Sequence, residues 1–190
     1  LRTRQVVIRI EVVKHGVEVD AINVHSGRLE RWQASRCIVA LPVFVAARVV
    51  RGAPDALRLR ANNIRYAPWL VANLHLDTPL HDRPGAAPSW DNVIYGAAGL
   101  GYVDAQHQNL RPVPGATVLT CYRALGDHPD GRRYLQERTW AQWRDEILAE
   151  LSTAHPDLPG KTTRIDITRY GHAMAIPTPG NEGPASHVPQ

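Results

Sequence analysis

Five consecutive apolar residues, Cys37-Ile38-Val39-Ala40-Leu41, stop abruptly at Pro42. A short run without polar alternation suits a strand covered on both faces, as in a parallel sheet. Such a strand needs neighbours and two covers, and the nearby sequence offers one short helix candidate, Val43 to Val50, with Pro42 placed well at its first turn. The preceding residues read differently. Val6, Ile8, Ile10 and Val12 alternate with Arg9 and Glu11, the period of a half-buried strand. His15-Gly16 supplies a turn, Val17 and Val19 alternate with Glu18 and Asp20, and His25-Ser26-Gly27 leads into a third, more polar strand from Leu29 to Ala34. The front of the chain is thus expected to be a β-meander followed by one buried strand.

Further along, Trp69 to Asp77 alternates again, and a loop rich in proline follows. Asn92 to Ala97, Thr117 to Leu125 and Lys161 to Tyr170 are further strand candidates. Between the last two, residues 131–153 predict one long amphipathic helix, with Trp140, Trp143, Ile147 and Leu151 recurring at spacings of three and four. From Pro177 onward, four prolines and two glycines predict a disordered tail. The predicted fold class is α+β: an antiparallel β-sheet with one long helix, plus the meander and its buried strand. The expected divisions are 1–50, 51–176 and the tail 177–190.

Composition narrows the functional classes. Of 190 residues 44% are hydrophobic and 21% charged, an ordinary globular balance. No apolar run approaches the roughly 18–20 residues of a membrane span, and no signal sequence is visible, so the default expectation is a cytoplasmic protein. Cys37 and Cys121 are too few and too far apart for a disulfide framework or a four-ligand zinc site. The net charge of +4 is carried almost wholly by arginine. The densest basic stretch, Arg48 to Arg65, contains Asp55 as its sole acid, but its aromatics (Tyr66, Trp69) lie beyond it. It is expected to be a solvated face rather than a nucleic-acid groove, which interleaves such charges with exposed rings.

Gly96-Ala97-Ala98-Gly99-Leu100-Gly101 has the wrong spacing for a dinucleotide loop, and no helix is expected after it. Its glycines either bend a strand or let a ligand approach the backbone. No G-x-S-x-G is present. His75 and Asp77 share a strand face but lack a well-placed third ligand, so no metal site is expected. Tyr95, Tyr102 and Tyr122, with Trp90, stand in or beside glycine-framed strands. They either line a pocket or pack under the long helix.

These segments resemble a known family. The meander followed by Cys37-Ile38-Val39-Ala40-Leu41-Pro42 is similar to the middle of flavin-dependent amine oxidases. Trp90 to Gly96, Leu100 to Asp104 and Arg169 to Met174 resemble a bacterial branch of the same oxidoreductases, and the likeness spans roughly residues 5–180. It implies a two-part protein: one part binds FAD, and the other, an antiparallel sheet with helices, covers the flavin ring and holds a small-molecule amine. The chemistry implied is hydride transfer from a C–N bond to flavin. The resemblance places the strand of Val7 beside the adenine and the Ala40–Pro42 step near the cofactor, and leaves Tyr95, Tyr102 and Tyr122 as the candidate substrate pocket. No G-x-G-x-x-G follows a strand in this sequence, and the family's final flavin-contacting segment is not found. The chain is therefore expected to be the central portion of such an enzyme, silent alone, with exposed edges that favour self-association. The rival reading is a self-contained α+β module for a small ligand, which leaves the run at Cys37–Leu41 unexplained.

Overall fold

A computed structural model describes residues 1–85, 89–110 and 113–179. They form two units, Leu1–Ile64 and Arg65–Ile176, so the division follows the second helix rather than residue 50. Most of the expected disordered tail, from residue 180 on, lies outside the described residues.

The first unit is built on a meander of β1 (Gln5–Val13), β2 (Gly16–Asn23) and β3 (Leu29–Ala34), antiparallel and in that order. Gly16 is obligatory by close approach: a Cβ there would lie 2.3 Å from the Ala34 carbonyl oxygen. The simple alternation read from β1 is broken. Val7 pairs with Ala21 and Arg9 with Asp20, leaving Ile8 as the extra residue of a β-bulge. Val6 and its partner Ile22 consequently share a face with the charged residues and stay exposed. On that face Asp20 is buried and accepts from Arg31 Nε at 2.7 Å, with Arg9 Nε 2.9 Å from its other oxygen. The Arg31 hydrogen bond holds the Asp20 carboxyl below its ordinary range.

Cys37–Leu41 forms no strand. It follows β3 as irregular chain, Cys37 is exposed and Ile38 is 94% exposed. An apolar run becomes a buried strand when neighbours and covers close over it, and the described residues of this unit provide neither. The parallel pairing it was expected to make is made instead by Val50, which bridges Ile10 while the Arg51 N–H donates to the Ile10 carbonyl at 2.8 Å. Helix α1 (Val43–Val49) leads to this bridge as the sequence predicts, and α2 (Asp55–Asn63) occupies the arginine-rich stretch with no buried residue.

The second unit holds a five-stranded antiparallel sheet. Its strands are β4 (Arg65–Leu76), β5 (Asp91–Asn92), β6 (Tyr102–Asp104), β7 (Thr117–Ala124) and β8 (Thr162–Ile176), in the order β5-β6-β7-β4-β8. β4 is central, and its alternation sorts two faces: Leu70, Ala72, Leu74 and Leu76 are buried, while Trp69, Val71, Asn73 and His75 are half-buried. The expected long helix is two, α3 (Gly131–Glu137) and α4 (Trp140–Ser152). Arg138 ends the first and Thr139 caps the second: the Thr139 hydroxyl accepts from the Gln142 N–H, and the Gln142 side chain accepts from the Thr139 N–H. This capping box starts a new helix where the apolar period runs on uninterrupted. A short α5 (Leu158–Lys161) follows. Leu135, Trp143, Ile147, Leu151 and Leu158 close over the buried face of the sheet.

Candidate functional site

The half-buried face of the five-stranded sheet gathers chemistry from three strands. Strand register sets Val71 between Tyr122 on β7 and Thr168 on β8, and Trp69 between Ala124 and Tyr170. The Trp69 and Tyr122 rings meet edge to face with centroids 6.5 Å apart, and Tyr170 is exposed beside them. One turn of the pleat along, Asn73 accepts from the Thr120 hydroxyl at 2.8 Å. Next to that pair, His75 Nε2 lies 2.9 Å from Asp166 Oδ2. Arg164 donates to the other Asp166 oxygen, and this hydrogen bond lowers the Asp166 pKa. The face therefore grades from an aromatic platform to a polar row. The platform offers π-surface to a cation, worth about 0.5–2 kcal/mol per ring.

Sequence reasoning singled out three tyrosines, and the structure separates them. Tyr122 sits on this platform. Tyr102, in register with Cys121, lies on the helix-covered side, where its Oη is 2.5 Å from His155 Nε2. Burial is the main force raising its phenol to about 12. Tyr95 is fully exposed in the loop after β5, because residues 94–97 form a turn, closed by the Ala97 N–H on the Ile94 carbonyl, instead of the expected strand. Trp69 was read merely as a strand entry; its place beside Tyr122 depends on a register between strands that the sequence does not display. Of the cofactor candidates, Val7 is half-buried in β1, and Ala40 and Pro42 are exposed in the irregular chain before α1. These two groups are not joined by a strand.

The glycine-rich segment has an unexpected occupant. The N–H groups of Ala98 and Gly99 both donate to the Glu150 carboxylate of α4 at 3.2 Å, and a Cβ at Gly99 would lie 2.4 Å from Glu150 Oε1. Glycine does admit a close approach here, by an internal side chain. Arg123, buried on β7, bridges the same Glu150 (2.6 Å) and Glu146, and Arg138 adds a second cation to Glu146. The described residues thus contain no free backbone cradle for a pyrophosphate at this loop.

His75 is engaged with Asp166 and not with Asp77, and no group of three metal-ligating side chains occurs among the described residues. No helix among them is long and apolar enough to cross a membrane. Cys121 is buried, which pushes its thiol up to about 12.

No family model and no curated protein matches the sequence. Solved structures do. A putrescine oxidase triple mutant superposes with a TM-score of 0.61 at 16% identity, over 86% of this chain and 33% of its own. The chain has the fold of about one third of that protein. Cyclohexylamine oxidase from Brevibacterium oxydans IH-35A matches with a TM-score of 0.59 at 13% identity, covering 87% of this chain and 34% of that one. Reduced UDP-galactopyranose mutase reaches a TM-score of 0.65 at 13% identity over 95% of this chain and 36% of its own. The chain thus shares the fold of these proteins, two oxidases acting on amines and a mutase, and spans about a third of their length.

Proposed function

We infer that this chain is the meander and substrate-covering portion of an FAD-dependent oxidoreductase that oxidises small amines. The observation that carries the reading is the sheet with one helix-packed face and one face bearing Trp69, Tyr122 and Tyr170. On the resemblance to amine oxidases, that second face is the one that covers the flavin ring and holds the amine. Bound flavin would supply the acceptor for the hydride leaving the C–N bond. The residues here would do the remaining work: Trp69 and Tyr122 hold an alkylammonium group, and the His75–Asp166 pair provides a polar end for it. The chain's own glycine-rich loop does not fit a dinucleotide phosphate, since Glu150 occupies its N–H groups. FAD would therefore need a phosphate cradle from a longer polypeptide, and this chain alone would be catalytically silent. Its exposed apolar residues around Ile38 and along β1 would then favour self-association.

The test compares this chain with the protein of the full reading frame. Expected is an oxidised-flavin spectrum in the longer protein but not in this chain, bleached anaerobically by a primary amine. Tyr122→Ala and Trp69→Ala in the longer protein should raise the amine KM about tenfold while flavin stays bound. Flavin in neither protein would overturn the reading in favour of a ligand-binding module, and flavin bound by this chain alone would overturn the assignment of its loop.

A further inference from the structure

The helix-covered side of the same sheet holds a cavity that amine binding does not use. It measures about 490 Å³, within the roughly 300–1,000 Å³ of small-molecule sites. Leu80, Val93 and Ile94 give it an apolar wall, and Arg83, Tyr102 and His155 give it a polar one. Tyr102 and His155 are 6% and 8% exposed, and their hydrogen bond uses Tyr102 Oη and His155 Nε2. With the Tyr102 hydroxyl donating to Nε2, the neutral imidazole carries its proton on Nδ1, a buried donor with no hydrogen-bond partner among the described residues. A buried polar atom in that condition destabilises the fold, and a ligand that meets it recovers the loss.

Other polar groups of the wall are already engaged. Asp104 accepts from the Gln106 N–H and the Thr117 hydroxyl, Gln106 donates to the Gly115 carbonyl, and Asn92 donates to the Ser89 carbonyl. Arg83 makes no ion pair among the described residues. Burial is the chief cause raising the Tyr102 pKa and lowering that of His155, and the Arg83 charge acts on both groups as well. The dyad is thus neutral at neutral pH, and the charges that bear on it are of both signs: Asp104 on Tyr102, Asp157 on His155, and Arg83 on both. Asp82 lines the same wall and would repel a second negative charge on a ligand.

We propose that this cavity binds a small monocarboxylate with an apolar body, its carboxylate between Arg83 and His155 and its hydrocarbon against Leu80, Val93 and Ile94. Phenylacetate is the probe. Titrated into this chain without flavin, it should shift the His155 imidazole nitrogen resonances with a Kd of about 1 mM or tighter. Phenylacetamide, the uncharged isostere, should bind at least about tenfold more weakly. Arg83→Gln, an exposed change, should weaken phenylacetate about tenfold and leave the melting temperature unaltered. An unmoved His155, equal binding of the amide, or an indifferent Arg83→Gln variant would each overturn the proposal. So would shifts confined to Trp69 and Tyr122, which would put the probe on the other face. The experiment needs no flavin, so its result is independent of the amine oxidation reading.

Discussion

The two sheets solve the same problem with different materials. The five-stranded sheet buries one face under its own helices: Leu70, Leu74, Leu119 and Trp143 are shielded from water, and Arg123 is drawn in beside them by two carboxylates. The three-stranded meander has no comparable cover. It buries Ile10 and Ala21 together with Asp20, which is held between Arg31 and Arg9, while Val6, Ile8 and Val12 remain exposed on its first strand. Burial of apolar area stabilises by about 25 cal/mol per Å² wherever a cover is supplied, whereas partly exposed ion pairs contribute about 1 kcal/mol or less each. The first sheet is therefore self-sufficient in a way the second is not.

The sharpest way to break this contrast is Trp143→Ala, which removes the largest side chain closed over the five-stranded sheet and should cost about 3–5 kcal/mol. The buried Cys121 thiol reads the second unit, and amide exchange at the buried Ala21 reads the meander. Cys121 should become reactive in this variant while exchange at Ala21 stays as it was. Equal acceleration of both would show that the units unfold as one.

Arg123→Ala comes next, with an expected loss of about 3 kcal/mol in denaturant melts, because Glu150 is left without its cation while Glu146 keeps only Arg138. A loss near that of an exposed pair would place Arg123 in the same class as the meander charges. Thr139→Ala should cost about 1 kcal/mol by removing the capping box between α3 and α4, measurable as a lower melting temperature.

The smallest effect belongs to acid. Burial raises the Asp157 carboxyl, but the Lys161 hydrogen bond and the His81 N–H outweigh it and bring the pKa down to about 2. A depressed carboxylate stabilises above its unfolded pKa, about 3.9, and that contribution fades as pH falls through the folded value. Asp20 is depressed too, first by its Arg31 hydrogen bond. Stability should begin to fall below about pH 6.5, where His155 and His172, both lowered chiefly by burial, bind a proton more readily unfolded than folded. It should fall further between about pH 4 and 2 as the carboxylates protonate. In Asp157→Asn the decline at the α4–α5 end should be flatter, as followed by amide exchange at Leu158.

Alternation along β4 was legible because one residue pair in two faces the helices, and the positions of β3, β7 and α1 followed from equally local signals. What was hidden depended on partners. Ile8 leaves the alternation of β1 through its pairing with β2, and a single strand cannot announce a bulge in its neighbour's register. The break at Thr139 was written in the sequence, as Thr-x-x-Gln, but inside an apolar period that continues from Leu135 through Trp143 to Ile147. Cys37–Leu41 reads as buried because an apolar run without alternation is the pattern of a strand covered on both faces, and among the described residues nothing covers it. At the candidate site, Tyr122 was found from its flanking glycines. His155 was not, since a lone histidine after a helix gives no sign that a phenol 53 residues earlier will dock on it.

Glu150 has a consequence for which ligands the glycine-rich loop can ever receive. It is an anion tethered at the mouth of its own binding nest, present at an effective concentration that no dissolved phosphate matches. A competing phosphate would have to evict it and, with it, loosen the hold of Arg123 on α4. The loop is thus shut to nucleotides by self-ligation rather than by bulk, and specificity against them is stored in the core of the unit instead of at its surface.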